Sequence, residues 1–548
     1  CDNEPFGVPC AEPGRNSPGP AVPGGGYLAG SPPGGISEND LGRTRGVALA
    51  RVNEALVLAS GVVLEAVAPR ELWSTAERVT GTVTLYNRGR LPVRVEDFVG
   101  VGGMMQSHTP VVTLLPDSAL VRPFSGRPIG RPTAPWWLAQ PRRGAMFANL
   151  RNRADEANAL PDGESRRATE TVSMSASVDG AAIALTTPIV YRYADQVRGE
   201  IRRPIAGVPP VSVFLDQAFA YAAARAPLER TIRVRLQSPD TVLRTVRVEA
   251  RVPAGLVADS AVRTVTIPRG NAVAMVQFSV RGQLPAGTQV IEVVAVSDSQ
   301  EFRHGYATID YEHISPRRLY RASRLAIEAV DLASTGPMRV GYIQGVGDNI
   351  APVLEQLGVQ VSMLDPAQLA GTDLRPFNAI VVGPRAYEAH PALVANNARL
   401  LAWGREGGTL VVQYGQYEMQ QPGIMPYPVT INRPHDRVTV EDAPVTILDA
   451  TAAILNAPNR ITARDFDGWV QDRSLYMPRA FDAAYTPLLA MSDPGEAPIR
   501  GALLVAPLGR GTYVYTTLAF FRQLPNGVPG AARLFMNLLA AGQARPRS

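Results

Sequence analysis

The hydrophobic period changes once along the chain, near residue 316, and that change limits the fold more than any single motif does. Before it, apolar and polar residues alternate in short runs separated by Gly and Pro, the pattern of antiparallel strands joined by turns. After it come "MRVGYIQG", "DNIAPVLEQLG", "VQVSMLD", "FNAIVVGPR", "HPALVANNARLLAWGREGG" and "TLVVQYG". Short apolar strands alternating with helical stretches imply a parallel sheet covered on both faces. At 548 residues the chain exceeds a single core. The expected fold is multidomain β plus α/β: two immunoglobulin-like β-sandwiches followed by a doubly wound domain.

Four segments follow from this reading. Residues 1–45, with "GPAVPGGGYLAGSPPGG", are too rich in Pro and Gly to bury a core and read as a tether. Residues 46–200 read as a first sandwich. Within it "RVTGTVTLYNRGRLPVRVEDF" places Val79, Val83, Leu85, Val93 and Val95 in one pattern, read as a hairpin turning at "NRGR". "ETVSMSASVDGAAIALTTPIVYRY" repeats the device with Asp179-Gly180 as the turn, and "VALARVNEALVLASG" is ambiguous between helix and strand. Residues 201–315 carry strands about 10–20 residues apart, the cadence of a second sandwich, with Arg233, Arg235, Arg247 and Arg251 on its polar face. Residues 316–548 form the α/β domain, ending in a hairpin at "GALLVAPLGRGTYVYTTLAF" and a closing helix at "GVPGAARLFMNLLAAG".

Two absences bound the chemistry. Both cysteines, Cys1 and Cys10, lie in the first ten residues, so the remaining sequence holds no thiol nucleophile or cysteine-based metal site. There is no lysine: the 54 basic residues are all arginine, which rules out a Schiff base or a P-loop lysine. A net charge of +5 without a basic stripe argues against nucleic-acid binding, whereas arginine suits pairing with carboxylates at protein interfaces.

A chain opening on Cys1 instead of Met has the form of a processed bacterial lipoprotein, with a diacylglycerol lipid on the Cys1 thiol as its one expected covalent group. The plainer reading is a secreted chain with Cys1 paired to Cys10. No apolar run of about 18 residues is present, so the lipid or a partner is the expected membrane hold. Asp2 resembles the signal that keeps lipoproteins on the inner membrane, which places the chain in the periplasm, anchored to the cytoplasmic membrane.

Ligands of doubly wound sheets bind at the carboxyl ends of the strands. There a low-ranked pocket of Tyr342, Asp348, Tyr387 and Tyr414 is expected. "GYIQGVGDN" is an incomplete phosphate-turn fingerprint, and the bland reading makes Asp348 a helix N-cap. His390 with Glu388 and Asp365, or His435 beside Asp436, could serve acid–base work, yet the five histidines form no metal-ligand pair and no metal is expected. "ARDFDGWVQDRSLYMP" gathers Asp465, Asp467 and Asp472, with Trp469 read as packing on the sheet. Trp136 and Trp137, in a Pro/Arg loop, either plug their own domain or anchor a partner. Arg142-Arg143, Arg202-Arg203 and Arg317-Arg318 are the expected contacts with acidic partner surfaces.

Together "VGYIQGVGDNIAPVLEQLG", "FNAIVVGPRAY", "ANNARLLAWGREGGTLVVQY", "ITARDFDGWVQDRSLYMP" and the run from "YTPLLAMSDPGEAPIR" to "AARLFMNLL" resemble the C-terminal region of large bacterial PIG-L-type deacetylases, over roughly residues 70–545. The resemblance implies β-sandwich modules and a class I glutamine-amidotransferase-like, flavodoxin-like domain. The deacetylase's H-P-D-D motif is missing, since His390-Pro391 is followed by Ala392 and Leu393, and no cysteine nucleophile is present, so no catalytic residue carries over. The expectation is therefore a non-catalytic lipoprotein, a structural subunit of an integral membrane protein complex. In plan it is similar to the periplasmic accessory subunit of a bacterial photosynthetic reaction-centre–antenna complex, with reaction-centre and light-harvesting subunits as partners. The alternatives are a carbohydrate- or nucleotide-binding accessory lipoprotein and a metal-dependent hydrolase using His390 or His435.

Overall fold

Alternation in the first third of the chain buries one side of each strand around a single core. The computed structural model describes residues 38–99, 111–138 and 170–542. The helix Glu38–Ser60 comes first and is mostly exposed. It settles the ambiguous stretch as helix and ends at Gly61, whose φ of +68° suits a glycine just past a helix end. Val57 packs on the first core. The Asn53 side chain donates to the Ala184 carbonyl and accepts from the Ala184 amide, both at 2.8 Å, which ties the helix to a strand.

The strands of this unit lie in two groups. Arg78–Asn87 pairs with Val62–Ala68 and Ser118–Pro128, whereas Val93–Val99 pairs with Val112–Leu114 and Thr171–Val178. The hairpin expected at "NRGR" is therefore not formed. The chain crosses between groups there, so the two strands lie apart in one eight-stranded sheet, and Val79, Val83, Leu85, Val93 and Val95 meet in one core. Asn87 directs this crossing: its buried side chain donates to the Leu91 and Leu114 carbonyls and accepts from the Gly89 amide. The hairpin Thr171–Val178 to Ala181–Asp195 does form, turning through Asp179 and Gly180 at φ +48° and +78°, the backbone of a two-residue type I′ turn. The long strand Ala181–Asp195 joins the groups, pairing first with Thr171–Val178 and then with Val62–Ala68 and Gly199–Pro204.

The second unit has a four-stranded and a six-stranded sheet around one core, with Phe278, Val234 and Ile291 fully buried. Its six-stranded sheet includes Arg324–Val330, so it runs beyond residue 315. A separate hairpin, His304–Ile309 with Arg317–Ala322, lies against it.

The third unit holds a seven-stranded sheet. Arg339–Ile343 pairs in parallel with Gln360–Met363 on one side and Ala379–Val382 on the other; Thr409–Gln413 and Gly511–Thr516 continue in parallel, and Leu503–Leu508 and then Thr486–Pro487 follow antiparallel. Both faces are covered, so the central strands are almost wholly buried, whereas the edge strand Gln360–Met363 is mostly exposed. Val340, Val381, Val411 and Val514 face a core with the helices Ile350–Gln356 and Pro529–Leu539. Ile380, Val382, Leu410, Val412 and Tyr513 face another with Pro391–Arg405. Among the described residues no helix is long and apolar enough to cross a membrane.

The units share structure. Ala206–Val208 of the second segment boundary pairs in parallel with Leu72–Ser74 of the first. Tyr221 and Val330, from the six-stranded sheet, belong to the core of the third unit, and the Tyr221 amide donates to the Gln356 side chain at 2.7 Å.

Candidate functional site

The parallel sheet delivers the ends of Arg339–Ile343, Ala379–Val382 and Thr409–Gln413 to one edge, and the turns there approach closely. A Cβ on Gly345 would fall 2.1 Å from the Pro384 carbonyl, and one on Gly383 would fall 2.3 Å from Oδ2 of Asp348. Glycine at both positions lets the first and second strand ends close over Asp348.

Asp348 is the centre of this edge. It is buried, accepts the amides of Gly345 and Ile350 at 3.1 Å, and accepts the Tyr342 hydroxyl on both carboxylate oxygens at 2.9–3.0 Å. Asn349, not Asp348, takes the cap position of the following helix. Burial raises the Asp348 pKa above the usual carboxylate range, against the hydrogen bonds that lower it. Burial, reinforced by the neighbouring Asp348 charge, pushes the Tyr342 phenol far up. Gln413 donates its side-chain amide to the Tyr342 hydroxyl at 3.2 Å, and its Oε1 is buried without a partner.

The outer layer is aromatic and cationic. Tyr414 stacks on Tyr476 at 6.2 Å and 11°, and Tyr476 stacks on His435 at 3.8 Å and 8°. Tyr417 meets Tyr476 edge-on, and the Arg433 guanidinium lies 3.7 Å over the Tyr417 ring. Tyr476 and Arg385 both have positive φ, +52° and +55°, a strained backbone for non-glycine residues. The Arg385 amide donates to the Tyr414 carbonyl at 2.7 Å, and its side chain pairs through two nitrogens with Glu388. That pairing holds the Glu388 carboxyl below its ordinary range.

Of the expected pocket residues, Tyr342 and Asp348 are brought together, and Tyr414 lies in the adjoining layer. Tyr387 turns into the core on the opposite face and donates to Asn397 Oδ1 at 2.7 Å. All four are buried; Tyr342 and Asp348, beneath Tyr414, fill the crevice instead of lining it. The acid–base set around His390 is not assembled. Its Nε2 lies 3.1 Å from the Gln344 carbonyl, Glu388 goes to Arg385, and Asp365 receives the Ala367 amide. Asp436 pairs with Arg479, Asp465 with Arg533 and Asp472 with Arg522. Trp469 is buried beside Phe466 and Phe520. Among the described residues no group of three His, Cys, Asp or Glu side chains is placed to hold a metal.

The arginine pairs divide. Arg202 pairs with Glu65 and Glu200; Arg203 with Glu71 and Asp310; Arg318, buried, with Glu71. Arg317 is likewise engaged. Through Glu71, Arg318 ties the first unit to the hairpin His304–Ile309/Arg317–Ala322, and Arg203 ties Glu71 to Asp310 just past its first strand. Trp136 and Trp137 lie in the short turn Trp136–Leu138, with Trp137 half-buried and in contact. Cys1, Asp2, Cys10, Arg142 and Arg143 lie outside the described residues. Sequence reasoning missed Gln413 and the His435–Tyr476 stack, because their partners are 71 and 41 residues away and no local spacing marks them.

No protein-family model matches the chain, and no curated protein matches it. Among solved structures, a FixG-related protein from Vibrio parahaemolyticus is similar at 12% identity and a TM-score of 0.15, over 22% of this chain and 98% of that one. Red sea bream transglutaminase is similar at 14% identity and a TM-score of 0.19, over 43% of this chain and 29% of that one. Likenesses this low carry no argument about fold or activity.

Proposed function

We propose that this chain is a non-catalytic structural subunit of a membrane-bound assembly, held at the periplasmic face by lipid on Cys1. Within that reading the first two units are immunoglobulin-like sandwiches. The third is a flavodoxin-like domain related to class I amidotransferases, for which its strand order and its helices on both faces speak. One observation carries the reading. The edge where such sheets take ligands is occupied by the protein's own Tyr342–Asp348–Gln413 network and closed by the Tyr414–Tyr476–His435 stack. A preserved sheet with a filled crevice suits a domain kept for its shape. The ion pairs of Glu71 with Arg203 and Arg318 support it, because they fix one unit against another. The resemblance described above names a photosynthetic reaction-centre–antenna complex as the candidate assembly.

Cross-linking in native membranes tests this. The chain has no lysine, so amine reagents find no side chain to modify, and a carboxylate-directed reagent is required. The expected result is a set of cross-links from surface Asp and Glu residues to an integral membrane protein. Cross-links confined to the chain itself, at a dose that joins other membrane complexes, would overturn the proposal.

A further inference from the structure

The outer face of the four-stranded sheet in the second unit is not an open sandwich surface. The hairpin His304–Ile309/Arg317–Ala322 rises beside it, so that the two enclose a groove of about 820 Å³. Gly305 makes the close approach: a Cβ there would fall 2.4 Å from the Val213 carbonyl and 2.7 Å from the Phe214 ring. The floor includes Phe214 and Met275, the latter 59% exposed, and Tyr306 packs edge-on against Phe214 at 5.4 Å.

The charge of this groove is one-sided. Arg233, Arg235, Arg321 and Arg324 line it against a single carboxylate, Asp216. Arg233 reaches Asp216 only at 3.7 Å and stays exposed. The Arg321 side chain is exposed and makes no ion pair among the described residues. Arg235 is held over the Phe214 ring at 3.7 Å and bonded to Gln237, which keeps its fork in place at little further entropic cost.

The spacing gives the ligand its form. Arg233 and Arg235 are alternate residues on one face of the strand Leu228–Gln237, while Ile232, Val234 and Leu236 point inward. Alternate residues on a strand lie about 6.8 Å apart, which is also the separation of alternate side chains on an extended peptide. Guanidinium forks match carboxylates two-pronged. We infer that this groove binds an extended acidic segment of a partner polypeptide, with carboxylates at alternate positions meeting Arg233 and Arg235 and apolar side chains between them resting on Phe214 and Met275. This inference stands on the groove alone and does not require the membrane-bound assembly.

The test uses the full chain and fluorescein-labelled peptides of the sequence Glu-Val-Glu-Val-Glu-Val and Gln-Val-Gln-Val-Gln-Val, read by anisotropy at low salt. The acidic peptide is expected to bind and the neutral one not to. The double variant Arg233→Gln/Arg321→Gln, both exposed sites, is expected to weaken binding by about tenfold or more. Arg500→Gln/Arg510→Gln, exposed on the third unit, is expected to leave it unchanged. Circular dichroism identical to wild type shows that the variants fold. Equal loss in both double variants would reduce the effect to net charge and overturn the inference. Absence of peptide binding would overturn it too, as would inorganic tripolyphosphate binding in the peptide's place with the same dependence on Arg233 and Arg321.

Discussion

Asp348 holds its carboxyl away from water beside Tyr342, and its titration is coupled to folding. Because burial raises its pKa in the native state, the native chain keeps this proton at pH values where the unfolded chain has lost it. Stability from this group is therefore full below about pH 4, the unfolded value, and falls as pH rises towards the folded value. Asp348→Asn keeps an acceptor for the Gly345 or Ile350 amide and carries no charge. Its denaturation midpoint relative to wild type is expected to improve as pH rises above about 4, read by urea unfolding at each pH. A difference that is flat, or that grows towards acid, would contradict the buried position of the carboxyl. Glu71 makes the opposite case. It accepts the buried Arg318 and the half-buried Arg203, the latter also paired with Asp310, so Glu71→Ala strands the Arg318 guanidinium and should cost about 3 kcal/mol, seen as a lowered midpoint. Glu71→Leu with Arg318→Met should recover part of that loss, since replacing both charges removes the unpaired one.

At the scale of elements, two glycines separate backbone strain from crowding. Gly180 has φ +78° with open space around it, so Gly180→Ala should cost about 1 kcal/mol through strain alone. Gly305 lacks that strain but faces the Val213 carbonyl and the Phe214 ring. Gly305→Ala should then lift the hairpin from its groove and cost more, up to about 3 kcal/mol. Thermal midpoints of the two variants, compared side by side, check the order. These elements also show what a sequence can tell. The turn at Asp179-Gly180 was legible because its conformation is chosen by two adjacent residues. The turn at "NRGR" was misread because the same alternation serves two strands paired as neighbours or two strands that lie apart in a larger sheet. What separates these cases is the set of Asn87 hydrogen bonds to Leu91 and Leu114, the latter 27 residues on. The parallel sheet was legible from its continuous apolar runs. The filling of its edge was not, since Tyr476 and His435 arrive from a distant excursion of the chain.

In the whole molecule, units that look separable in composition are joined by shared strands and shared cores. Tyr221, on a strand of the second unit, belongs to the core of the third, and its amide bonds to Gln356 there. Tyr221→Ala is therefore expected to raise hydrogen exchange in Leu228–Gln237 and in Thr409–Gln413 together, while Val62–Ala68 stays protected. Increased exchange in only one of the first two would show that the units open independently. A body joined in this way, with its strand-end crevice closed from within, is the account's ground for reading the chain as a structural subunit. The most direct measurement is mild detergent extraction of native membranes, density-gradient separation and mass spectrometry of each fraction. This chain is expected to migrate with a large integral membrane complex, and its Cys1 peptide to carry acyl mass. Migration of the chain alone, at the size of a single polypeptide and without acyl mass, would contradict it.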